Sequence, residues 1–503
     1  MAPPPLPPET EIKVDFQQPQ ASERFVYAAN PDAGTVSIID AMTQAIQTVE
    51  TGDHPTYLRT LAGTDDAIVL NVGSDDAAIL RTPDKGVSIS HVGVVHGANA
   101  IAVAPDGKHA VVYFDTARVS GSVPLGSALQ DVSVLSLSAG KDTATGMTVG
   151  FRPRDVVFGQ DGGHAYVVTD DGVSVLDFAQ VDKSGTGIAR LVSLGDDIDQ
   201  KGLDVSITPD GKYALAREPG KSAIRLIDLD SGDVSELELA QFGMGPDDDA
   251  DAGTPPAPSA DVSDLDLAPN GQFALAALRD QATVVRVPVP DGFEHPDQVS
   301  TYVIKDEIIG SISISPKSDV ALLYTTAAPV ERITRLTLGA DEHKTVALRK
   351  TVQAVAVAPD GATALIIHNK ADGDPREPGI SSDTQIDRSY GYSMLRVATG
   401  DVKLQVTPVT PSALAMVPDG SYLFLLLRDD AGGVREAQKV EARSFLVNSI
   451  PLGSPPISIG SVPGSKRVFV NQDHPDGRIT FIDWETDDTR TVTGFELNSR
   501  IRD

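Results

Sequence analysis

One arrangement of apolar and polar positions organises the chain. Its clearest copy, IAVAPDGKHAVV at Ile101–Val112, has alternating apolar residues, a Pro-Asp-Gly turn and a second apolar run. Proline presets the first turn dihedral, aspartate caps the turn, and glycine accepts a positive φ. The pattern therefore predicts a β-hairpin.

The same pattern recurs along almost the whole sequence. Clear copies turn around Asp210, Asn270, Asp360 and Asp419, and weaker copies turn at 63–65, 160–162, 316–318 and 463–465. A third apolar strand follows each hairpin, as in TVSIID ending at Asp40, and a more polar fourth strand leads into the next copy. Four antiparallel strands every 40 to 60 residues or so, with almost no helical period, are typical of β-propeller blades.

The copies number ten and predict an all-β fold, a β-propeller of about ten four-stranded repeat units. They begin near Arg24, Pro55, Asn99, Pro153, Gly202, Val262, Gly310, Gln353, Pro411 and Pro455. A propeller usually has about four to eight blades, so the alternative is two smaller rings joined at Gly243–Asp261, the best linker by composition. The first unit lacks an inner strand, which residues beyond Phe495 or before Phe16 would supply in a closed ring. Units five and six are complete, and we therefore favour one ring.

The domain organisation follows from the repeats. Residues 1–22 begin with MAPPPLPPE and are predicted to be a proline-rich spacer, because such a segment buries little apolar surface. Residues 23–503 form the repeat domain, with a possible split near 243–261.

The repeat residues resemble the YVTN-type bacterial β-propeller family. The resemblance rests on a Gly-x-x-Pro link into an apolar strand, a Pro-Asp-Gly turn and a V-x-V-x-D third strand. Gly52–Pro55, Gly150–Pro153 and Gly453–Pro456 supply the link, and FVYAAN at Phe25–Asn30 is similar to the namesake strand. The resemblance implies a surface, periplasmic or binding protein of a bacterium and is almost silent on activity.

Charge and composition exclude several classes of protein function. The formal net charge is −30, which repels nucleic acid and anionic lipid headgroups. Cysteine is absent, so disulfides, thiolate metal sites and cysteine nucleophiles are excluded. No stretch approaches the roughly 20 apolar residues of a membrane span. The proline-rich spacer suits an exported protein, and an ordinary flexible terminus is the competing interpretation. We expect an exported protein, periplasmic, tethered to the outer membrane or extracellular, with a lipid anchor ahead of the spacer as one form.

Long insertions mark the candidate binding face. Three of them fall between second and third strands, at Asp115–Asp131, Lys370–Tyr392 and Arg428–Val440, and a fourth, Gly243–Asp261, links two blades. In a propeller, these two kinds of connection lie on the same face. Loops without packing duty are where binding usually resides, although loops also grow wherever growth is harmless. The residues predicted to bind on this face are Asp115, Arg118, Asp372, Asp374, Arg388, Tyr390, Tyr392, Arg428, Asp429, Asp430 and Arg435.

Acidic residues also gather at the ends of second strands, and carboxylates in such a place are either solvated or bridged by a cation. The sharpest cluster is Asp247, Asp249 and Asp251. Its glycine, Gly253, is one position late for a calcium loop and no glutamate follows at the twelfth position, so a solvated acidic linker is the competing interpretation. No cofactor is required, and Ca²⁺ is an open alternative.

Catalytic motifs are sparse. The sequence has no HExxH, no GxSxG and no P-loop. Five residues lie at links or loops from which they could face a central channel: His54, His96, Arg152, Arg154 and His474. Each of the histidines could act as a general base, bind a metal ion or simply be solvated. Arg152 and Arg154 are also suited to pairing with neighbouring aspartates.

Two functions remain open. The first is a non-enzymatic exported or cell-surface propeller that binds a protein or polysaccharide through its decorated face. The second is a lactonase-like hydrolase with a channel cation held by carboxylates. The sequence shows the loops, whereas it shows no convergent catalytic site, and we therefore favour the binding protein.

Overall fold

The fold is almost entirely β. The computed structural model describes residues 7–10, 21–82, 86–124, 126–184, 186–195, 203–243, 261–278, 281–340 and 342–495. These ranges contain 40 strands, three short α-helices, α1 (Phe178–Ser184), α2 (Asp291–Glu294) and α3 (Ser382–Asp387), and a few single 3-10 turns. The all-β prediction is confirmed.

The strands form ten antiparallel sheets, numbered here in chain order, and each sheet corresponds to one predicted repeat unit. Two compact units share them. The six-sheet unit comprises Phe16–Ser193, Ser412–Glu441 and Leu446–Asp503, and the four-sheet unit comprises Met1–Asp15, Leu194–Pro411 and Ala442–Phe445, each as far as its residues are described.

The six-sheet unit holds sheets 1–4, 9 and 10. Sheet 1 contains β1 Phe25–Asn30, β2 Thr35–Asp40 and β3 Ile46–Glu50; sheet 2 contains β4 Pro55–Thr60, β5 Asp66–Asn71, β6 Asp76–Arg81 and β7 Ser88–Gly93; sheet 3 contains β8 Ala100–Val103, β9 His109–Tyr113, β10 Asp131–Ser136, β11 Thr143–Thr148 and the parallel β15 Thr186–Ile188; sheet 4 contains β12 Asp155–Phe158, β13 His164–Thr169, β14 Gly172–Asp177 and β16 Arg190–Val192. Sheet 9 contains β33 Ala413–Met416, β34 Tyr422–Asp429, β35 Val434–Glu441 and β36 Val447–Pro451; sheet 10 contains β37 Pro456–Val462, β38 Arg467–Gln472, β39 Arg478–Asp483 and β40 Thr489–Thr493.

The four-sheet unit holds sheets 5–8. Sheet 5 contains β17 Asp204–Ile207, β18 Tyr213–Arg217, β19 Ala223–Asp228 and β20 Val234–Glu238; sheet 6 contains β21 Val262–Leu267, β22 Phe273–Leu278, β23 Thr283–Pro288 and β24 Ser300–Val303; sheet 7 contains β25 Ser311–Ile314, β26 Val320–Tyr324, β27 Arg332–Thr337 and β28 Glu342–Ala347; sheet 8 contains β29 Val352–Val357, β30 Thr363–His368, β31 Tyr390–Arg396 and β32 Val402–Thr407.

The Pro-Asp-Gly turns have the predicted chemistry. The Asp360 carboxylate accepts a hydrogen bond from the Ala362 amide at 2.9 Å, and Gly361 has φ +69°. In the weaker copy at 316–318, Ser318 holds the left-handed conformation with φ +58°. Each turn joins the first two strands of its sheet, so the connection between the second and third strands lies at the opposite end of that sheet.

Neighbouring sheets share apolar cores. Leu215 and Ile224 of sheet 5 pack in one cluster with Leu265 and Ala276 of sheet 6. These two sheets flank the acidic segment 243–261, most of which lies outside the described residues. The sheets on its two sides thus belong to one packed body.

The first and last sheets of the chain also pack together. Val26 and Ile39 of sheet 1 share a core with Val462 and Phe469 of sheet 10. Sheet 1 has three strands, and a single antiparallel bridge from Ala21 to Val26 lies where an inner strand would run. Of the residues predicted to supply that strand, beyond Phe495 or before Phe16, residues 7–10 belong to no strand, and the others lie outside the described ranges. The predicted fold class, an all-β propeller of ten repeat units, is confirmed.

Candidate functional site

The most elaborate loop of the four-sheet unit is the insertion in sheet 8, residues 369–389 between β30 and β31. It contains α3, whose N-cap Ser381 accepts a hydrogen bond from the Thr384 amide at 3.1 Å. The Asp374 carboxylate accepts from the Arg376 amide at 2.8 Å and so shapes the preceding turn. The insertion is therefore an ordered structure, built from a helix and a capped turn.

A cavity of about 380 Å³ opens between this insertion and the end of β32. That volume lies in the range of pockets that hold small ligands or single anchoring groups. The lining residues are Lys370, Asp374, Pro375, Arg376, Gln385, Arg388, Ser389, Tyr390, Val406, Thr407 and Pro408. Three cations and one aromatic ring are thus concentrated in one pocket of a strongly acidic chain.

Tyr390 and Lys370 form one wall of the cavity. The Lys370 ammonium lies 5.4 Å from the centre of the Tyr390 ring, within the range of a cation–π contact. Tyr390 is half-buried and Lys370 is exposed. This pair presents a flat apolar surface and a positive charge to the same space.

Arg388 forms an ion pair within the insertion. Its Nη1 lies 2.5 Å from Glu377 Oε2 in an ion pair. Gly373, which lies against the Arg388 guanidinium, has φ +114°, a backbone conformation that favours glycine. Arg388 is therefore partly neutralised, whereas Arg376 has an exposed side chain at the rim.

Lys350 supports the insertion from below. Its buried ammonium donates to the carbonyls of Ile386 at 2.8 Å and Asp387 at 2.9 Å, the last carbonyls of α3. Burial lowers the pKa of Lys350, and the Asp387 carboxylate opposes that shift. Lysine at a helix C-terminus satisfies carbonyls that lack intrahelical partners. No sequence pattern singles this residue out.

Predicted residues of the insertion fall into two groups. Asp372 and Asp374 are exposed, and Arg388 and Tyr390 line the cavity. Tyr392 is fully buried within β31, so its assignment to a binding surface is wrong. The strand already begins at Tyr390, and every residue from Gly391 to Leu395 is buried.

The insertion Asp115–Asp131 of sheet 3 places its two predicted residues together. The Asp115 carboxylate caps the 3-10 turn Thr116–Arg118 through the Ala117 amide at 2.8 Å, and Arg118 Nε lies 3.3 Å from Asp115 Oδ2. Asp115 is buried, and its backbone pairs with the Asn99 side chain. Asp115 thus holds the loop in shape and presents little surface to a ligand.

The predicted insertion Arg428–Val440 is wrong as a loop, because β34 and β35 run almost through it and leave a four-residue turn at 430–433. Arg428 Nη2 bridges Asp430 at 2.7 Å and Asp473 at 3.0 Å. The Asp429 carboxylate accepts from the Ala431 amide at 3.0 Å, and Arg435 is exposed opposite Arg428. This region is a paired hairpin fastened to sheet 10.

Two of the candidate channel histidines pair with aspartates in sheet 2. His54 Nδ1 lies 2.7 Å from Asp53, and His96 Nδ1 lies 2.6 Å from Asp75, with both imidazoles largely exposed. Burial raises the pKa of the Asp75 carboxyl, but hydrogen bonds from His96 and the Gly97 amide outweigh it, so that the pKa is lowered. The pairs are suited to fixing link conformation, since His54 itself has φ +53°.

The remaining channel candidates also contact neighbouring residues. Arg152 stacks over Phe151 at 4.9 Å and lies 3.6 Å from Asp170, as the alternative of aspartate pairing predicts. The Arg154 amide donates to the Val168 carbonyl at 3.0 Å, and His474 Nδ1 accepts from the Asp476 amide at 3.2 Å. Of these five residues, His54 lies on the link into sheet 2 and His96 on the link from sheet 2 into sheet 3. Arg152 and Arg154 lie on the link into sheet 4, and His474 lies in the loop between β38 and β39 of sheet 10.

Metal and membrane features complete the description. In the ranges that the structure describes, no group of three or more His, Asp or Glu side chains is arranged to hold a metal ion. Asp247, Asp249 and Asp251 lie outside those ranges. Within the same ranges, no helix has the length and apolar character needed to cross a membrane.

Comparison with known proteins gives structural neighbours only. No family model matches the sequence, and no curated protein matches it. Similar solved structures include the dihydro-heme d1 dehydrogenase NirN in complex with DHE, at 13% identity, TM-score 0.41 and 74% coverage of each chain. A eukaryotic initiation factor has 12% identity and TM-score 0.48, covering 84% of this chain and 94% of that chain. The Cps50 (Swd1) β-propeller domain of Myceliophteria thermophila has 15% identity and TM-score 0.34, covering 64% and 94%. At such identities no activity or partner is carried over to this chain.

Proposed function

We propose that this chain is a non-enzymatic binding propeller of the YVTN type, exported to the surface of a bacterium, and that it holds a protein or polysaccharide partner at the sheet 8 cavity. The observation that carries the proposal is the concentration of Tyr390, Lys370 and Arg376 around one 380 Å³ cavity. Aromatic and arginine side chains beside a concave surface are the usual anchors of binding interfaces.

The chemistry of the cavity suits recognition of an anionic or hydroxylated group. Tyr390 offers a ring face for stacking, Gln385 and Thr407 offer neutral hydrogen-bonding groups, and Lys370 and Arg376 offer positive charge. The net charge of −30 repels acidic partners at long range, so a local cationic site favours docking in one orientation. No cofactor is needed for this function, and a Ca²⁺ ion at Asp247, Asp249 and Asp251 would be an addition to it.

The test is capture of a partner by immobilised full-length protein. Tyr390→Ala and Arg376→Ala are expected to abolish capture from native extract, or retention of purified envelope polysaccharide in affinity electrophoresis, with unchanged melting temperatures. Arg349→Ala is the matched control, because Arg349 is an exposed arginine of the link before β29 that does not line the cavity. Capture that survives both cavity variants, and is lost on Asp360→Ala at the opposite end of sheet 8, would refute the proposal.

A further inference from the structure

The N-terminal segment contacts sheet 7, and the side chain of Glu9 makes most of the hydrogen bonds. Glu9 is half-buried, whereas Pro7, Pro8 and Thr10 are exposed. Residues 7–10 belong to no strand or helix. The segment therefore adds no strand to the sheet.

The Glu9 carboxylate is surrounded by donors from the loop that follows β26. Oε1 accepts from the Thr325 hydroxyl at 2.8 Å, and Oε2 accepts from the Thr326 amide at 2.6 Å, the Thr326 hydroxyl at 2.8 Å and the Ala327 amide at 3.1 Å. The Thr10 amide donates to the Thr326 hydroxyl oxygen at 2.9 Å. Two hydroxyls and two backbone amides thus converge on one carboxylate, and hydrogen bonds to an ionised acceptor are the strong class.

Space for the carboxylate comes from Gly310. A methyl group on Gly310 would overlap the Glu9 carboxylate, although the φ of Gly310 is one that any residue adopts. The Gly310 amide donates to the Tyr324 carbonyl at 2.9 Å, so the wall of the site is part of sheet 7. Every donor and the cavity itself come from sheet 7, whose four strands pair without the segment.

We propose that Gly310 and Thr325–Ala327 form a peptide-binding site for a glutamate carboxylate carried by an extended, proline-preceded segment, and that residues 7–10 occupy this site exchangeably. Aspartate is one methylene shorter and does not reach all four donors. Glutamine can turn its amide oxygen to the donors of Thr326 and Ala327, but it lacks the negative charge that strengthens those hydrogen bonds. The two prolines hold the segment extended in advance, which lowers the entropy lost on binding.

The test uses the full chain with Glu9→Ala, which empties the site, and a fluorescent peptide of residues 3–10 amidated at its C-terminus. Fluorescence anisotropy is expected to show saturable binding at least tenfold tighter to the Glu9→Ala chain than to the unaltered chain, because the tethered Glu9 competes at high effective concentration. The same peptide with Glu9→Gln is expected to bind at least tenfold more weakly. Equal binding to the two chains, no saturable binding to the Glu9→Ala chain, or equal binding of the glutamine peptide would each overturn the proposal.

Gly310→Ala in the Glu9→Ala background supplies the matched control. It fills the carboxylate space without removing a donor, so it is expected to abolish peptide binding at an unchanged melting temperature. If that change lowers the melting temperature, Thr325→Val, which removes one hydroxyl donor, takes its place with an expected weakening of severalfold. Undiminished peptide binding by a folded variant of either kind would place the peptide elsewhere.

Discussion

His368 Nε2 lies 2.7 Å from the hydroxyl of Ser393, and both side chains are buried where the sheet 8 insertion begins. On its other side Nδ1 lies 3.1 Å from the Thr351 carbonyl, which fixes the neutral tautomer with its proton on Nδ1. Burial lowers the pKa of His368 to about 4, the Thr351 hydrogen bond opposes the shift, and the nearby Lys350 charge adds to it.

Stability is expected to fall as pH drops from about 6.5 to about 4. In that window the unfolded chain binds a proton at His368 and the folded chain does not, so protonation favours unfolding by up to roughly 3 kcal/mol. Chemical denaturation at a series of pH values measures the slope. The His368→Gln chain cannot take up that proton, so its free energy of unfolding is expected to depend less on pH in this window. An identical pH profile for the two chains would contradict the assignment.

Lys350→Met is expected to loosen α3. The change removes the charged donor of the Ile386 and Asp387 carbonyls, which keep the Ser389 and Ala371 amides as partners, and costs roughly 2 kcal/mol. Limited proteolysis within 370–380 and the melting temperature both report it. Lys344→Met is the control, since the Lys344 ammonium donates to the Thr399 carbonyl at 2.9 Å in an exposed position. Equal effects of the two changes would argue against a special role for the buried lysine.

Opposite effects are expected at two equivalent turns. Gly361→Ala forces a left-handed φ on a residue with a Cβ and is expected to cost about 1 kcal/mol. Ser318→Gly relieves the same strain in the degenerate turn of sheet 7 and is expected to gain up to about 1 kcal/mol. Denaturation midpoints of the two variants provide the measurement, and shifts of the same sign would refute the shared geometry.

Removal of Pro3–Pro8 is expected to leave the melting temperature within about 1 °C of the unaltered chain. Pro7 and Pro8 are exposed, and such a segment buries little apolar surface. The deletion keeps Glu9, so Glu9→Ala serves as the comparison. A deletion that lowers the melting temperature more than Glu9→Ala would show that the prolines themselves pack on the protein.

The repeat architecture was readable from the sequence because its signals are local. Turn residues lie next to the strands they join, and predicted unit starts such as Pro55 and Val262 coincide with the first residues of β4 and β21. The sheet 8 insertion was also predictable, since its polar residues interrupt two apolar strands.

Features that depend on distant partners were not predictable. Lys439 appears too polar for a buried strand, yet its ammonium lies 2.6 Å from Asp487 of sheet 10 and 4.0 Å from the centre of the Tyr422 ring. That pairing lets β35 continue where the sequence indicates a loop. Glu9 likewise binds residues more than 300 positions away, so nothing around it in the sequence distinguishes it from a spacer residue.

The packing of sheet 1 against sheet 10 has a consequence for biosynthesis. The apolar face of sheet 1, formed by Val26 and Ile39, is covered by Val462 and Phe469. These two residues belong to sheet 10, the last sheet to be synthesised. At translation rates of about 5–20 residues per second, that face waits on the order of a minute for its cover. The apolar face of sheet 1 therefore stays exposed to solvent during most of the synthesis of the chain. In cells that lack holdase chaperones, we expect the nascent chain to aggregate through this face.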